Sequence, residues 1–265
     1  MAKILCIGDI IGKPGRKAVK HMVPKLRKEE GVDFVIANSD NVTSGMGINK
    51  ENAHDLLACG IDIFTAGNHI WRHHDILELL DASEPIILRP ANFPVNNPGK
   101  GYRVFSQGDF SIAVINLQCR GFMSMDIDCP FLVGDHILSQ PEVQKATIKI
   151  MDIHGETTSE KQTLYHYFNG RVSHLFGTHT HVQTNDARIS SKGTSYITDV
   201  GGCMVQHSII GFEPESIIRK FLTQMPEKYI VEEKGDILFS ACIVDVDPET
   251  GHTQNIQTLA TILSL

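Results

Sequence analysis

The sequence predicts an α/β fold in which a single domain, residues 1–265, contains two packed sheets. Three observations predict it. Strand and helix patterns alternate through residues 1–100, hairpin-like strand pairs follow, and no repeat or low-complexity linker divides the chain. A length of 265 residues is common for one α/β domain.

The first part of the chain alternates between short apolar runs, which predict buried strands, and apolar residues at helical spacing. The predicted strands are 3–8, 34–37, 63–66 and 86–88, and the predicted helices are 14–30, 51–59 and one that includes 76–80. Val19, Met22, Val23 and Leu26 form the buried stripe of the first helix. This order predicts a largely parallel sheet with right-handed crossovers.

The second part predicts a more hairpin-like arrangement. Strands 102–105 and 111–117 flank a turn at Gln107-Gly108-Asp109. Residues 118–141, which include Pro130 and Pro141, predict a long irregular segment of the kind that usually serves function. Further strands are predicted at 148–153, 172–176, 195–198 and 239–246, with a final strand after a turn at 247–251.

Charge and composition exclude several classes of protein. The 24 basic and 31 acidic residues give a net charge of -7, which argues against a long surface for duplex nucleic acid. A small phosphorylated substrate stays possible because a metal can supply local positive charge. No apolar run approaches the ~20 residues of a membrane span, and Asp9 interrupts the apolar N-terminus that a secretion signal would need. We therefore expect a cytoplasmic protein with no membrane partner.

Polar residues cluster just after five predicted strands, and in a parallel sheet these strand ends meet in one crevice. Each residue alone has an ordinary structural explanation as a turn or cap, but the ordered combination favours a shared site. His179 and His181 are expected to point the same way from an extended segment. Carboxylates, carboxamides and imidazoles together fit manganese, iron or zinc better than calcium or copper. The residues are Asp9, Asp40, Asn41, Asn68, His69, His154, His179 and His181.

This ordered set resembles the calcineurin-like metallophosphoesterase superfamily, and within it the bacterial YmdB-like branch. The resemblance spans nearly the whole chain. One departure is Ser39-Asp40-Asn41, where the branch usually has Gly-Glu-Asn, so that the side chain of Asp40 is one methylene shorter. The matching segments include Gly8-Asp9-Ile10-Ile11-Gly12, Ala66-Gly67-Asn68-His69, Asp152-Ile153-His154-Gly155-Glu156, Gly177-Thr178-His179-Thr180-His181 and Thr198-Asp199-Val200-Gly201.

The resemblance implies a four-layer α/β/β/α sandwich of the metallophosphoesterase type and a site for two divalent metal ions, iron or manganese with zinc as the alternative. It implies that His69 is the general acid. Arg120 could clamp phosphate, although an ordinary surface role is equally open. One ion would be held by Asp9, Asp40, Asn41 and His181, and the other by Asp40, Asn68, His154 and His179.

The implied function is a metal-dependent phosphodiesterase that hydrolyses small phosphodiesters, above all 2′,3′-cyclic nucleotides to 3′-nucleotides, by attack of a metal-bridging hydroxide. A phosphomonoesterase or nuclease that uses the same metals is one alternative. A non-catalytic regulator that binds metal and nucleotide is another. A metal-free thiol hydrolase that uses Cys119 or Cys203 is the third and most distant alternative. Assembly into a homo-oligomer is left open.

Overall fold

Two sheets and their covering helices make up the part of the chain that the computed structural model describes, residues 1–108 and 110–265. Asp109, the last residue of the predicted turn, lies outside the described residues. The strands are β1 Ala2–Ile10, β2 Phe34–Asn38, β3 Ile63–Thr65, β4 Ile87–Leu88, β5 Tyr102–Gln107, β6 Phe110–Gln118, β7 Ile148–His154, β8 His174–Thr178, β9 Arg188–Ile189, β10 Ser195–Ile197, β11 Gly202–Val205, β12 Ile237–Val246 and β13 Thr253–Leu263. The helices are α1 Gly12–Glu29, α2 Lys50–Leu57, α3 Leu77–Leu80, α4 Pro130–Leu138, α5 Pro141–Lys145, α6 Thr158–Phe168 and α7 Pro214–Thr223.

The first sheet has the strand order β13-β12-β11-β1-β2-β3-β4 among the described residues. Strands β1 to β4 pair in parallel, as the alternating pattern predicts. Strand β1 changes partner along its length: residues 2–7 pair antiparallel with β12, and Asp9 and Ile10 pair parallel with β11. The end of β1 that carries Asp9 is therefore held between parallel neighbours on both sides.

The second sheet has the order β5-β6-β7-β8-β10-β9. Strands β5 and β6 form the predicted antiparallel hairpin, but β6, β7, β8 and β10 run parallel. The hairpin-like expectation is therefore wrong for the middle of this sheet. The physical reason is that helices α4 and α5 cross between β6 and β7, and α6 crosses between β7 and β8, which returns each strand in the same direction.

Three apolar clusters define four layers. One lies between the sheets and includes Phe34 and Phe176. A second packs α1 and α2 on the first sheet and includes the predicted stripe from Val19 to Leu26. A third packs α4, α5 and α6 on the second sheet through residues such as Leu164. This arrangement confirms the α/β/β/α sandwich. No helix of the described residues has the length and apolar character needed to cross a membrane.

Other local predictions need correction. Residues 118–141 are not irregular throughout, because α4 begins at Pro130, and proline favours the first turn of a helix. Strand β1 extends to Ile10 and β7 to His154, so that Asp9 and His154 lie within the ends of strands rather than after them. Helices α6 and α7 and strand β11 had no sequence prediction.

Candidate metal centre

The predicted site residues meet where strand ends from both sheets approach each other. Asp9 lies near the end of β1, and two predicted groups follow β2 and β3. His154 ends β7 in the second sheet, while His179 and His181 follow β8. The five strand ends converge beside a cavity of about 300 Å³. Its lining includes Asp40, Asn41, His69, His179 and His181.

Fully buried His154 lies at the centre of the most compact part of the site. Its Nε2 atom is 3.1 Å from Oδ1 of Asn68 and 3.1 Å from Nδ1 of His179. The Oδ2 atom of Asp40 is 3.5 Å away. We call these residues, Asn68, His154 and His179 with Asp40, the His154 half of the centre.

A hydrogen bond on the outer side of His154 shows that Nδ1 of this ring carries a proton. The hydroxyl of Thr178 donates to Asp152 over 2.8 Å, so its 2.9 Å contact with His154 requires Nδ1 of the ring to donate. His179 places Nε2 3.1 Å from the carboxylate of Glu156. Nε2 of His154 is thus the ring nitrogen that faces the site, within 3.5 Å of Oδ1 of Asn68, Nδ1 of His179 and Oδ2 of Asp40. Two ring nitrogens, a carboxamide oxygen and a carboxylate oxygen brought this close together form a donor set that fits a metal ion.

Electrostatics also favour positive charge in the His154 half. Burial alone would lower the pKa of His154, but the carboxylates of Asp40 and Asp9 outweigh it and raise that pKa. Burial, assisted by neighbouring His154, lowers the pKa of His179 to about 2. Burial alone would raise the pKa of Asp40, yet His154 and His69 hold it below the usual range. Ionised Asp40 and neutral His179 are the forms that bind metals.

Asp40 connects the β2 and β3 loops in spite of its shorter side chain. Its Oδ1 atom accepts backbone N–H groups from Gly67 over 2.7 Å and from His69 over 2.9 Å. These bonds point Oδ2 toward Nε2 of His154 and toward Nδ1 of His69. The side chain of Asp40 therefore lies at the centre because the loop after β3 is close enough to bind its other carboxylate oxygen.

Gly67 allows this close approach. A Cβ atom at residue 67 would lie 2.1 Å from Nε2 of His154, a distance that no non-bonded pair of heavy atoms adopts. Glycine is therefore the residue that lets the β3 loop pass over the imidazole. The sequence motif Gly67-Asn68-His69 thus combines a steric requirement with two polar side chains.

Asp9 is the core of a second, looser part, which we call the Asp9 half: Asp9, Asn41 and His181. Asp9 is fully buried, and burial raises its pKa. Its Oδ2 atom accepts the backbone N–H of His179 over 2.9 Å, whereas Oδ1 has no hydrogen-bond partner among the described residues. Nε2 of His181 lies 3.8 Å from that Oδ1 atom. A buried carboxylate oxygen without a partner is costly unless a cation satisfies it.

Backbone carbonyls orient the other two side chains of the Asp9 half. Nδ1 of His181 donates to the carbonyl of Ile210 over 2.9 Å, which leaves Nε2 free to face Asp9. The amide of Asn41 donates to the carbonyl of Gly45 over 2.8 Å, which leaves its Oδ1 atom as an acceptor. Both side chains therefore present lone pairs, as metal ligands must.

His179 and His181 do not lie on an extended segment, so that expectation is wrong. Their φ angles are 99° and 64°, in the left-handed region. The turn is held by Thr180, whose N–H and hydroxyl both donate to the carboxylate of Asp199. As a result, His179 faces His154 while His181 faces Asp9.

Lys161 and Asp199 support this turn and were given no role by the sequence. Their side chains form a buried ion pair of 2.8 Å, and Lys161 also donates to the carbonyl of Thr178 over 2.7 Å. Asp199 lies in a segment that the resemblance matched, which was a signal for it. Lys161 had none, because a lysine in a polar helix is usually exposed.

The remaining predicted residues differ in placement. His69 lines the cavity with Nδ1 3.1 Å from Oδ2 of Asp40, in a geometry that does not form a hydrogen bond. Burial lowers the pKa of His69. Arg120 is exposed, its backbone N–H donates to Glu160 over 3.0 Å, and it is not among the described residues that line the cavity.

The two candidate thiol nucleophiles lie in apolar clusters. Cys119 and Cys203 are fully buried. Burial raises the pKa of Cys119 strongly and that of Cys203 to about 12. Because the thiolate is the nucleophile, neither environment favours thiol hydrolysis.

Comparison with known proteins agrees with the family resemblance of the sequence motifs. The family described as "YmdB-like protein" matches residues 5–259. A Bacillus subtilis (strain 168) protein named 2′,3′-cyclic-nucleotide 2′-phosphodiesterase is 41% identical over 257 residues, covering 97% of this chain and 96% of the relative.

Two solved structures share the fold over almost all of their length. A hypothetical protein from Thermus thermophilus has a TM-score of 0.91 and 36% identity, covering 98% of this chain and 99% of that one. A novel phosphatase from Mycoplasma pneumoniae has a TM-score of 0.91 and 31% identity, covering 98% and 93%. Fold and relatives together define a phosphoesterase enzyme. More particularly, the chain belongs to the YmdB-like family, as its sequence motifs predict.

Proposed function

We propose that this chain is a metal-dependent phosphodiesterase that opens 2′,3′-cyclic nucleotides to 3′-nucleotides. The observation that carries the proposal is the cluster of nitrogen and oxygen ligand atoms around Nε2 of His154, together with the buried Oδ1 atom of Asp9 that has no hydrogen-bond partner among the described residues. The adjoining cavity of about 300 Å³ is within the usual range for small-molecule sites. The name of the B. subtilis relative supports the substrate class.

In this proposal, the centre holds two divalent ions, iron or manganese with zinc as the alternative. Such ions would supply a hydroxide nucleophile near neutral pH and neutralise charge on the phosphoryl oxygens. Asp40, which lines the same cavity as Asn41, His179 and His181, is proposed as the ligand that both ions share. The ligands of one ion are Asp9, Asp40, Asn41 and His181, and those of the other are Asp40, Asn68, His154 and His179.

His69 is proposed to donate the proton that the leaving group requires. Hydrolysis adds one oxygen to phosphorus and breaks the bond to the ribose 2′ oxygen, which then takes a proton. His69 lines the cavity beside Asp40 without being one of the proposed ligands. Burial lowers its pKa, and the negative charge of a bound phosphodiester would act in the opposite direction.

Three features of the wider proposal come from the sequence. We propose that the enzyme acts in the cytoplasm on small substrates rather than on long duplex nucleic acid. Arg120 is proposed only as an accessory phosphate ligand, since in this structure it is exposed outside the cavity lining. The single-domain organisation of residues 1–265 and the homo-oligomer stay predictions.

A substrate comparison tests the proposal directly. Purified protein should hydrolyse 2′,3′-cyclic AMP faster than a bis-aryl phosphodiester or an aryl phosphomonoester, and a chelator should abolish all turnover until Mn²⁺ is restored. A preference for the monoester would indicate a phosphomonoesterase. Turnover that resists the chelator would contradict the metal site. Equal, very slow turnover by wild type and His69→Ala would favour a non-catalytic regulator.

A further inference from the structure

The cavity beside the metal centre has an apolar side that no sequence motif indicates. Its polar lining includes four of the predicted metal ligands, and its apolar lining comes from three separate segments of the chain. We call this apolar lining the apolar wall: Met46, Ile210, Phe212 and Tyr229.

The apolar wall adjoins the centre through Ile210. Phe212 is 4% exposed, and its ring lies 5.3 Å from that of Tyr229 in a tilted arrangement. Ile210, whose φ of 47° is unusual for a β-branched residue, supplies the carbonyl that receives Nδ1 of His181. Aromatic and apolar side chains that line the same cavity as predicted metal ligands fit a nucleobase.

A second cavity of about 470 Å³ continues from the first. Met46 and Tyr229 line both cavities, so that the second opens directly beyond the apolar wall. Its lining contains three cationic side chains, which we call the basic lobe: Arg72, Lys220 and Lys228.

The basic lobe contrasts with the net charge of -7 for the whole chain. Glu227 is the one acidic residue in the lining of this cavity, and its carboxylate lies 3.6 Å from Arg219. Lys220 donates to the hydroxyl of Tyr229 over 3.0 Å and lies 4.4 Å from the centre of its ring. Arg72 and Lys228 are exposed and form no ion pair within the described part of the chain. Positive charge is therefore concentrated in the second cavity, which shares Met46 and Tyr229 of the apolar wall with the first.

We propose that the preferred substrate carries a second phosphate, on the 5′ side of the ribose that bears the 2′,3′-cyclic phosphate. The inference rests on the proposed function. The cyclic phosphate would lie at the metal centre, the nucleobase against the apolar wall and the second phosphate in the basic lobe. A nucleoside with a free 5′ hydroxyl would leave this lobe without an anionic partner.

Two sources share this chemistry: a 5′-monophosphate and the internucleotide phosphate of a short RNA. The test compares three substrates, namely 2′,3′-cyclic AMP, its 5′-phosphorylated form and a diadenosine dinucleotide ending in a 2′,3′-cyclic phosphate. We expect a KM about tenfold lower for at least one phosphate-bearing substrate, equivalent to about 1.4 kcal/mol. A gain for the 5′-phosphate alone indicates a mononucleotide, and a gain for the dinucleotide alone indicates an RNA end.

Lys228→Ala provides the residue-specific test because the side chain is exposed and its removal should not affect folding. The ratio of KM between unphosphorylated and 5′-phosphorylated substrate should fall toward one. Lys228→Arg should keep the ratio, and Lys28→Ala, at an exposed position of α1, is the matched control for net charge. The wild-type ratio should also shrink at high salt, which screens exposed charges.

The two possible failures are distinguishable. If wild type turns over none of the cyclic substrates, the proposed function fails. If it turns over all three with equal KM, or if Lys28→Ala changes the ratio as much as Lys228→Ala, the basic lobe is not a phosphate subsite and this inference is overturned while the phosphodiesterase activity stands.

Discussion

The His154 half and the Asp9 half of the centre are held by different kinds of partner. In the His154 half, side chains contact the outer nitrogens of the two imidazoles: the hydroxyl of Thr178 accepts from Nδ1 of His154, and the carboxylate of Glu156 lies 3.1 Å from Nε2 of His179. In the Asp9 half, backbone carbonyls of Ile210 and Gly45 orient His181 and Asn41. Nε2 of His154 lies 3.1 Å from Nδ1 of His179 in the first half, whereas Nε2 of His181 lies 3.8 Å from Oδ1 of Asp9 in the second.

This difference predicts how each half responds to mutation. A partner that is a side chain can be removed by one substitution, whereas a backbone carbonyl survives most substitutions at its own residue. The His154 half should therefore be the more sensitive to changes around it, and the Asp9 half the more sensitive to movement of its loops.

The largest effect should follow from removing the residue that the proposed function assigns to both ions. Asp40→Ala should lower activity by about 10³-fold or more, because each ion would lose a buried carboxylate ligand. Elemental analysis should show metal lost from both halves. Asp40→Glu, which keeps the carboxylate on a side chain one methylene longer, is the control and should retain metal; an Asp40→Ala variant with full metal content would contradict the shared role.

The next largest effect concerns stability. Lys161→Met should reduce the free energy of unfolding by about 3–5 kcal/mol, because it leaves the buried carboxylate of Asp199 without its cation. Urea unfolding of the chelated protein measures the change. The double variant with Asp199→Asn should recover part of the loss. A single variant as stable as wild type would show that the ion pair does not hold the turn at Thr180.

Thr178→Val should weaken the His154 half specifically. Loss of the hydroxyl that accepts from Nδ1 should lower metal affinity or activity by about 10–100-fold. Thr163→Val, an exposed position on α6, is the matched control. Metal titration followed by activity measures the effect, and an unchanged affinity would mean that Thr178 does not orient His154.

Ile210→Gly should have a much smaller effect on the Asp9 half. The backbone carbonyl that receives Nδ1 of His181 remains, and glycine adopts the φ of 47° without strain. Metal affinity should change by less than about twofold, below the range for loss of a side-chain partner. A loss as large as that of Thr178→Val would remove the distinction between the two halves.

The smallest effect is a dependence of the free energy of unfolding on pH in the acid range. Burial alone would raise the pKa of Asp186, but its hydrogen bonds with Thr198 and Thr184 outweigh it and lower that pKa. Its contribution to stability is therefore present above the unfolded value of 3.8 and lost as pH falls below it. Between pH 5 and pH 3, chelated wild type should lose more stability than Asp186→Asn; parallel profiles would contradict the assignment.

Much of the architecture follows from local patterns, and part of it does not. The apolar runs of β1 to β4 and the stripe of α1 predict the parallel first sheet. The crossover helix at residues 158–168 was missed because it combines a weak apolar stripe with buried Lys161, which tertiary contacts rather than periodicity explain.

The candidate site shows the same division. Short motifs at strand ends predicted that Asn68, His154 and His179 meet, because parallel strands deliver their carboxyl ends to one edge. The left-handed turn at His179 and the apolar wall formed by Phe212 and Tyr229 could not be predicted, since they depend on contacts between segments far apart in sequence.

The most direct test is the metal content of protein purified without chelators. We expect about two divalent ions per chain in wild type, as in two-metal phosphoesterase sites, and we expect Asp40→Ala to lose them while it remains folded by circular dichroism. Wild-type protein that binds no divalent ion after dialysis against iron, manganese and zinc, yet still hydrolyses 2′,3′-cyclic AMP, would contradict it.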